Sequence, residues 1–170
     1  NIPFPKCANI IQVITAQEMF EKTISQLPAD ILICCAAVSD WKFIPETSAN
    51  EKIDSKNKIK KTNEELLFKT LKNPDIVATI AKSKLRPNLV IGFSAETNNI
   101  IKNAKSKLIS KEIDLIVAND VSKNKVFGED SNKVFLIDKN NCEEWCEQSK
   151  NSVAFNLANK INKIFTTANI

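Results

Sequence analysis

The apolar run that ends at Gly92 and passes into Phe93-Ser94-Ala95-Glu96-Thr97-Asn98-Asn99 restricts what this chain can fold into more than any other stretch. Apolar residues that give way to polar ones able to cap a helix describe a buried parallel strand carrying a ligand site at its carboxyl end. The pattern occurs twice more, in Ile31-Leu32-Ile33-Cys34-Cys35-Ala36-Ala37-Val38-Ser39-Asp40 and in Asp114-Leu115-Ile116-Val117-Ala118-Asn119-Asp120. Three strand ends therefore offer polar groups to one edge of a sheet.

Around these stretches strands and helices alternate. Residues 10–14 read as a strand, and a helix opens at Thr15, where Thr15 and Glu18 have capping-box spacing and Ala16, Met19, Phe20, Ile24 and Leu27 form one stripe. Pro28-Ala29-Asp30 turns the chain into residues 31–38, read as a fully buried strand. Residues 41–62 interrupt the alternation with Pro45 and a polar stretch, and look like a mobile excursion. Residues 58–61 and 65–71 alternate well enough to pair as a hairpin arm, which is marginal alone and wants a partner surface. Asn73 as cap and Pro74 at the first helical position open a helix with Ile76, Val77, Ile80 and Ala81 on its apolar face. Residues 89–93 and 115–118 are buried strands on either side of a helix that Thr97 caps, with Ile100, Ile101, Ala104 and Leu108 facing inward. Residues 133–137 read as an edge strand, and a final helix runs along Ala154, Leu157, Ile161, Ile164 and Phe165. This order predicts an α/β fold with a doubly wound, mostly parallel sheet flanked by helices.

A length of 170 residues with 43% hydrophobic content suits one domain with its own core. No stretch approaches the roughly 20 apolar residues of a membrane span, and residues 1–16 show no signal segment. The expectation is a cytoplasmic protein with no membrane partner. The net charge of +4 is a mild excess that suits a phosphorylated small molecule at least as well as nucleic acid, because the aromatics are not interleaved with the lysines around residues 52–61 and 102–111. The excess also fits a compositional bias toward Lys and Asn. Five cysteines, an odd number without a regular framework, are expected to be reduced. Cys142 and Cys146 would share a face on a helix, but zinc needs further ligands and the chain has no histidine, so no protein-ligated metal is expected. Two glycines and no Gly-x-Gly-x-x-Gly or Walker loop exclude a dinucleotide fingerprint, and the missing histidine excludes histidine general base catalysis.

Several residues carry more than one reading. Asp40 ends its strand where a carboxylate can bind a hydroxyl, a base amine or a metal, or can simply satisfy turn amides. Lys58, Lys60 and Lys61 can neutralise a polyphosphate beneath a closing arm, or form a solvated strand face. Pro74, Asp75, Ile76 and Val77 present helix-start amides suited to phosphate, as every helix start does. Lys107 and Lys111, four residues apart, put two ammonium groups on one helical face, or compensate the macrodipole at a helix C-terminus.

Ala36-Ala37-Val38-Ser39-Asp40, Lys58-Ile59-Lys60-Lys61, Lys72-Asn73-Pro74-Asp75-Ile76-Val77, Gly92-Phe93-Ser94-Ala95-Glu96-Thr97-Asn98-Asn99 and Ala118-Asn119-Asp120-Val121-Ser122 together, in that order, closely resemble phosphopantothenoylcysteine synthetase. In bacteria this is usually the carboxyl-terminal half of a bifunctional coenzyme A biosynthesis protein. The resemblance runs from about Val13 to Ile137. It implies a Rossmann-like synthetase domain over residues 1–170, with a flap and dimerisation hairpin arm over residues 41–72. It implies a ligase that uses CTP and magnesium to couple 4′-phosphopantothenate to L-cysteine. Cys34, Cys35, Ala36 and Asp40 would line the cytidine site. Pro74, Asp75, Ile76 and Val77 would meet the nucleotide through the helix start, with Phe93 beside it. Lys107 and Lys111 would reach its phosphate or sugar groups. Lys58 matches the flap lysine required for activity.

The resemblance also has gaps. Members of the family carry, upstream of what is Ile10 here, a first strand and a glycine-rich segment with an arginine and an asparagine that serve phosphopantothenate. They also carry a flavin-dependent decarboxylase half. Neither occurs in this sequence, so FMN is not expected to bind. Three readings follow: a competent ligase domain, a half-enzyme completed by a separate amino-terminal or flavin decarboxylase chain, or a CTP-binding and dimerisation remnant. Recognition of RNA by the lysine-rich stretches stands apart, and nucleic acid is not an expected partner, because no aromatic stacking platform or known module accompanies them.

Overall fold

The computed structural model describes residues 8–46, 67–122 and 131–167, which divide into two compact units, Asn1–Leu27 with Ala37–Ile76, and Pro28–Ala36 with Val77–Ile170.

The second unit holds a five-stranded mixed sheet in the order β1(Ile31–Cys34), β4(Leu89–Glu96), β5(Leu115–Asp120), β6(Ser131–Asp138), β7(Cys142–Ser149). β4 pairs in parallel with β1 and β5, whereas β6 is antiparallel to both β5 and β7, so four of the five strands point one way. Two cores lie on the two faces. Val90, Ile116, Ala118 and Ile137 pack with Ala81 of α2(Ile76–Ala81) and with Ala104 and Leu108 of α3(Ile100–Lys111). Leu89, Ile91, Val117, Val134 and Leu136 pack with Val153 and Leu157 of α4(Lys150–Thr167). Period-2 alternation within each buried strand thus feeds both faces, the requirement of a doubly wound sheet. Gly92 allows the tightest approach: a Cβ there would stand 2.8 Å from Ile113 Cδ1.

The sheet differs from the sequence expectation in several places. β1 stops at Cys34 and alternates between exposed and half-buried, with Ile33 45% exposed, instead of running buried through residues 31–38. Among the described residues it lies at the sheet edge with β4 as its one neighbour, so its apolar run is not enclosed there. Residues 133–137 lie inside the longer β6, which is not the edge, because β7 pairs beyond it. β7 carries Cys142 and Cys146 on one face of a strand rather than of a helix, since Trp145 turns into the core beside α4 at the intervening register. α3 is capped not by Thr97 but by Asn99, which adopts φ 45° and makes no side-chain cap hydrogen bond. Asparagine is among the few residues that enter that left-handed region readily. α4 covers the expected helix, with Val153 and Leu157 as its buried residues.

The first unit contains α1(Ala16–Ser25) and an antiparallel ribbon of β2(Trp41–Glu46) and β3(Leu67–Lys72). The Thr15 capping box is formed: Glu18 N–H donates to Thr15 Oγ1 at 3.1 Å, and the Glu18 carboxylate accepts from the Thr15 and Ile14 amides at 3.3 and 2.8 Å. Residues 10–14 are not a strand; among the described residues they have no ladder partner, and alternation without a partner makes no strand. β3 pairs with β2, a partnership the sequence did not suggest, in register Phe43 opposite Thr70. Residues 58–61 lie outside the described residues. Asn73 does not cap a helix. Its N–H donates to the Asp40 carbonyl at 2.9 Å and its side-chain amide to the Ser39 carbonyl at 2.9 Å, tying off the ribbon, and α2 begins at Ile76.

Candidate functional site

The three parallel strands bring their carboxyl ends to one edge, with Cys34 opposite Gly92 and Glu96 opposite Asp120. On β4 the side chains at 90, 92, 94 and 96 share the face that α3 covers, because strand side chains alternate and Val90 belongs to the same core as Ala104 and Leu108. Ser94 and Glu96 are the polar members of that face, each 7% exposed.

Glu96 is held from α3. Lys107 Nζ stands 2.7 Å from Glu96 Oε1, and Asn103 Nδ2 donates to Oε2 at 3.3 Å and to the Asn98 carbonyl at 3.0 Å. Asn103 and Lys107 are four residues apart and therefore share a helical face. The Lys107 side chain remains 45% exposed, so its ammonium bridges the buried carboxylate and the surface. The Ser94 hydroxyl is buried without a hydrogen-bond partner among the described residues. Further along the same edge, Asn132 Nδ2 donates to Asn119 Oδ1 at 3.3 Å, while Asn132 Oδ1 is buried and likewise without a partner among the described residues. Buried polar groups are nearly always paired, and both exceptions lie toward the carboxyl ends of the parallel strands.

The sequence-derived site residues fall in both units. Cys34, Cys35 and Ala36, at and beyond the end of β1, Phe93 on β4, Val77 on α2, and Lys107 and Lys111 on α3 belong to the sheet unit. Cys35 and Ala36 are exposed, and Phe93 is half-buried beside the α4 core. Lys111 sits in the last turn of α3, the position at which a cation complements the helix dipole. Asp40, Pro74, Asp75 and Ile76 belong to the ribbon unit, where the Asp40 carbonyl accepts the Asn73 amide. Lys58 lies outside the described residues. Sequence reasoning assigned no role to Ser94, Glu96, Asn103, Asn119 or Asn132. The signal for the first three was present as a polar i, i+2 pair closing a buried strand, followed by a polar i, i+4 pair on the next helix. Among the described residues no three His, Cys, Asp or Glu side chains cluster as a metal site, and no helix is long and apolar enough to cross a membrane.

An α/β sheet with polar groups at its carboxyl strand ends defines a protein of the doubly wound class. The chain belongs to the family described as DNA/pantothenate metabolism flavoprotein C-terminal domain, which it matches over residues 1–165. It is 40% identical over 162 residues to the coenzyme A biosynthesis bifunctional protein CoaBC of Haemophilus influenzae, covering 95% of this chain and 38% of that protein. It is 41% identical over 152 residues to the CoaBC of Borreliella burgdorferi, covering 88% and 36% respectively. The chain thus spans less than two fifths of the length of these two relatives. A crystal structure of the C-terminal domain of a CoaBC superposes with a TM-score of 0.72 at 26% identity, covering 98% of this chain and 70% of that one.

Proposed function

We propose that this chain is the synthetase part of coenzyme A biosynthesis, a phosphopantothenate–cysteine ligase that works with CTP and magnesium in the cytoplasm. The observation that carries the reading is the match to CoaBC proteins over nearly the whole chain, with the motif from Gly92 to Asn99 falling at the polar sheet edge. In this reading the 4′-phosphopantothenate carboxylate attacks the α-phosphate of CTP and displaces pyrophosphate. The amine of L-cysteine then attacks the acyl-cytidylate, forming the amide and releasing CMP. Two anions must meet in the first step, so cationic side chains lower the barrier chiefly by charge stabilisation, and holding the reactants in line contributes much of the rest. Magnesium, carried on the nucleotide's phosphates, adds to that stabilisation. Lys107 and Lys111 address the nucleotide from α3, with Cys34, Cys35 and Ala36 at the end of β1 and Phe93 on β4 beside it. The resemblance assigns Asp40, Pro74, Asp75, Ile76 and Val77 to the same ligand, and Lys58 to the charge developing in the transition state. The β2–β3 ribbon, with Phe43 64% and Phe68 56% exposed, is the arm through which two copies pair.

Calorimetric titration with magnesium CTP and with magnesium ATP, followed by a pyrophosphate-release assay with 4′-phosphopantothenate, tests the reading. CTP-selective binding with release supports the ligase. Binding without release favours a half-enzyme or a binding remnant. No binding of either nucleotide overturns both. Lys58→Ala is expected to reduce turnover more than CTP affinity, as for a lysine acting on developing charge. A monomeric mass at all concentrations in size-exclusion chromatography would overturn the dimer.

A further inference from the structure

We propose that Glu96 is a positioning residue: it fixes the Lys107 ammonium at the carboxyl end of β4 so that the remaining N–H groups of Lys107 address an anionic ligand. The inference rests on the reading that this edge binds CTP, and deepens it.

A carboxylate 7% exposed at the end of a central strand is costly unless charges and hydrogen bonds compensate it. Here the compensation is directional. Lys107 Nζ lies 2.7 Å from Oε1, and Asn103 joins Oε2 to the Asn98 carbonyl, so the carboxylate is held from two points of α3. The backbone is fixed too, since the Glu96 carbonyl accepts the Val121 amide at 3.0 Å. An unanchored lysine on a helix surface samples many rotamers and loses that freedom when it grips a ligand. Lys107 is already ordered, yet with 45% of its side chain exposed it has N–H groups to present outward. Lys82 shows the contrast on the same sheet unit. Its ammonium donates to the Ser110 carbonyl at 2.9 Å and meets Glu112 only at 3.7 Å, and that carboxylate side chain is 63% exposed where that of Glu96 is 9% exposed.

Positioning and simple neutralisation predict opposite results. If Glu96 only cancelled the charge of Lys107, removing it would strengthen the attraction for a triphosphate. If it positions Lys107, removing it weakens binding, and does so only while Lys107 is present. The test is a double-mutant cycle read by calorimetric titration with magnesium CTP on the whole chain: wild type, Glu96→Gln, Lys107→Ala and the double variant. About tenfold weakening is expected for Lys107→Ala and about fivefold for Glu96→Gln, with the double variant within about twofold of Lys107→Ala. Equal loss from Glu96→Gln in both backgrounds marks a merely structural carboxylate and overturns the proposal, as does tighter binding by Glu96→Gln. In both cases the sensitivity to Lys107→Ala would leave the CTP reading standing. If wild type does not bind CTP, or Lys107→Ala leaves the affinity unchanged, the underlying reading of Lys107 fails and the proposal fails with it. Should Glu96→Gln not fold, as judged by circular dichroism, Glu96→Asp keeps the charge but withdraws it from Lys107 by one methylene, and the same Lys107-dependent loss is expected.

Discussion

At the amino ends of the parallel strands, Asp114 uses both carboxylate oxygens: Arg86 Nη2 donates to one at 2.8 Å and the Val90 amide to the other at 2.7 Å. Arg86 also donates to the carbonyls of Glu112 and Pro87. On the same side, Asp138 accepts the backbone amides of Asn140 and Asn141 at 2.7 Å each, in the turn between β6 and β7. At the carboxyl ends the groups are similar and their use is not. Glu96 shares Lys107 with the solvent, and Ser94 Oγ and Asn132 Oδ1 have no partner among the described residues. Saturated polar groups hold strands in register, whereas polar groups left wanting at a strand-end edge are what a ligand can satisfy. The contrast agrees with the proposed placement of the ligand at the carboxyl ends.

Matched isosteric substitutions give the largest expected separation. In Asp114→Asn either orientation of the new amide sets a donor against Arg86 or against the Val90 N–H, so a loss of about 2–3 kcal/mol is expected in urea denaturation, with CTP affinity unchanged. A loss as small as that of a surface pair would show the amino-end clamp to be no more committed than the other end. Gly92→Ala, between the two ends, pushes a methyl against the end of the Ile113 side chain, which can shift. About 1–2 kcal/mol is expected from thermal or chemical unfolding. Glu96→Gln should cost under about 1 kcal/mol in the same assay, because Lys107 regains water and Asn103 keeps the Asn98 carbonyl. Its effect should appear in ligand binding instead, and equal stability losses at Glu96 and Asp114 would erase the distinction.

The smallest effect is a pH dependence at Asp138. Burial alone would raise its carboxyl, but the amides of Asn140 and Asn141, with Lys160 nearby, outweigh that and hold it below the ordinary carboxylate range. A lowered folded value adds stability above the unfolded carboxyl range and loses it as pH falls through the folded value. The advantage of wild type over Asp138→Asn, under about 1 kcal/mol at neutral pH, should therefore shrink toward pH 3. A constant difference would assign the turn's stability to shape rather than charge.

How much was legible in the sequence follows the same division. The interior strands could be read because Val90, Ile91 and Leu115 to Ala118 are apolar without a break, and the α1 start could be read because a capping box involves residues three apart. Partnership was not legible. Residues 10–14 and 31–38 are as apolar as a buried strand, yet among the described residues the first has no ladder and the second is paired only through Ile31–Cys34, on one side. β7 was missed because no apolar alternation marks it: Trp145 lies on one face and Cys142 and Cys146 on the other, among Glu143, Glu144 and Glu147. Around the candidate site, the carboxyl ends of β4 and β5 and the helical placement of Lys107 were legible. The pairing of Lys107 with Glu96 was not, because it joins a strand to a helix across eleven positions and no local period encodes it.

The edge position of β1 also bears on how the sheet assembles and comes apart. β6 and β7 meet through a turn, with Ile137 opposite Cys142, and β4 meets β5 across one helix, but Ile31 opposes Leu89 only after an excursion of 58 residues. Among the described ladders this is the longest loop closed for the fewest pairs, so β1 is expected to dock last and leave first. Its amides are expected to exchange hydrogen with water before those of β4 to β6.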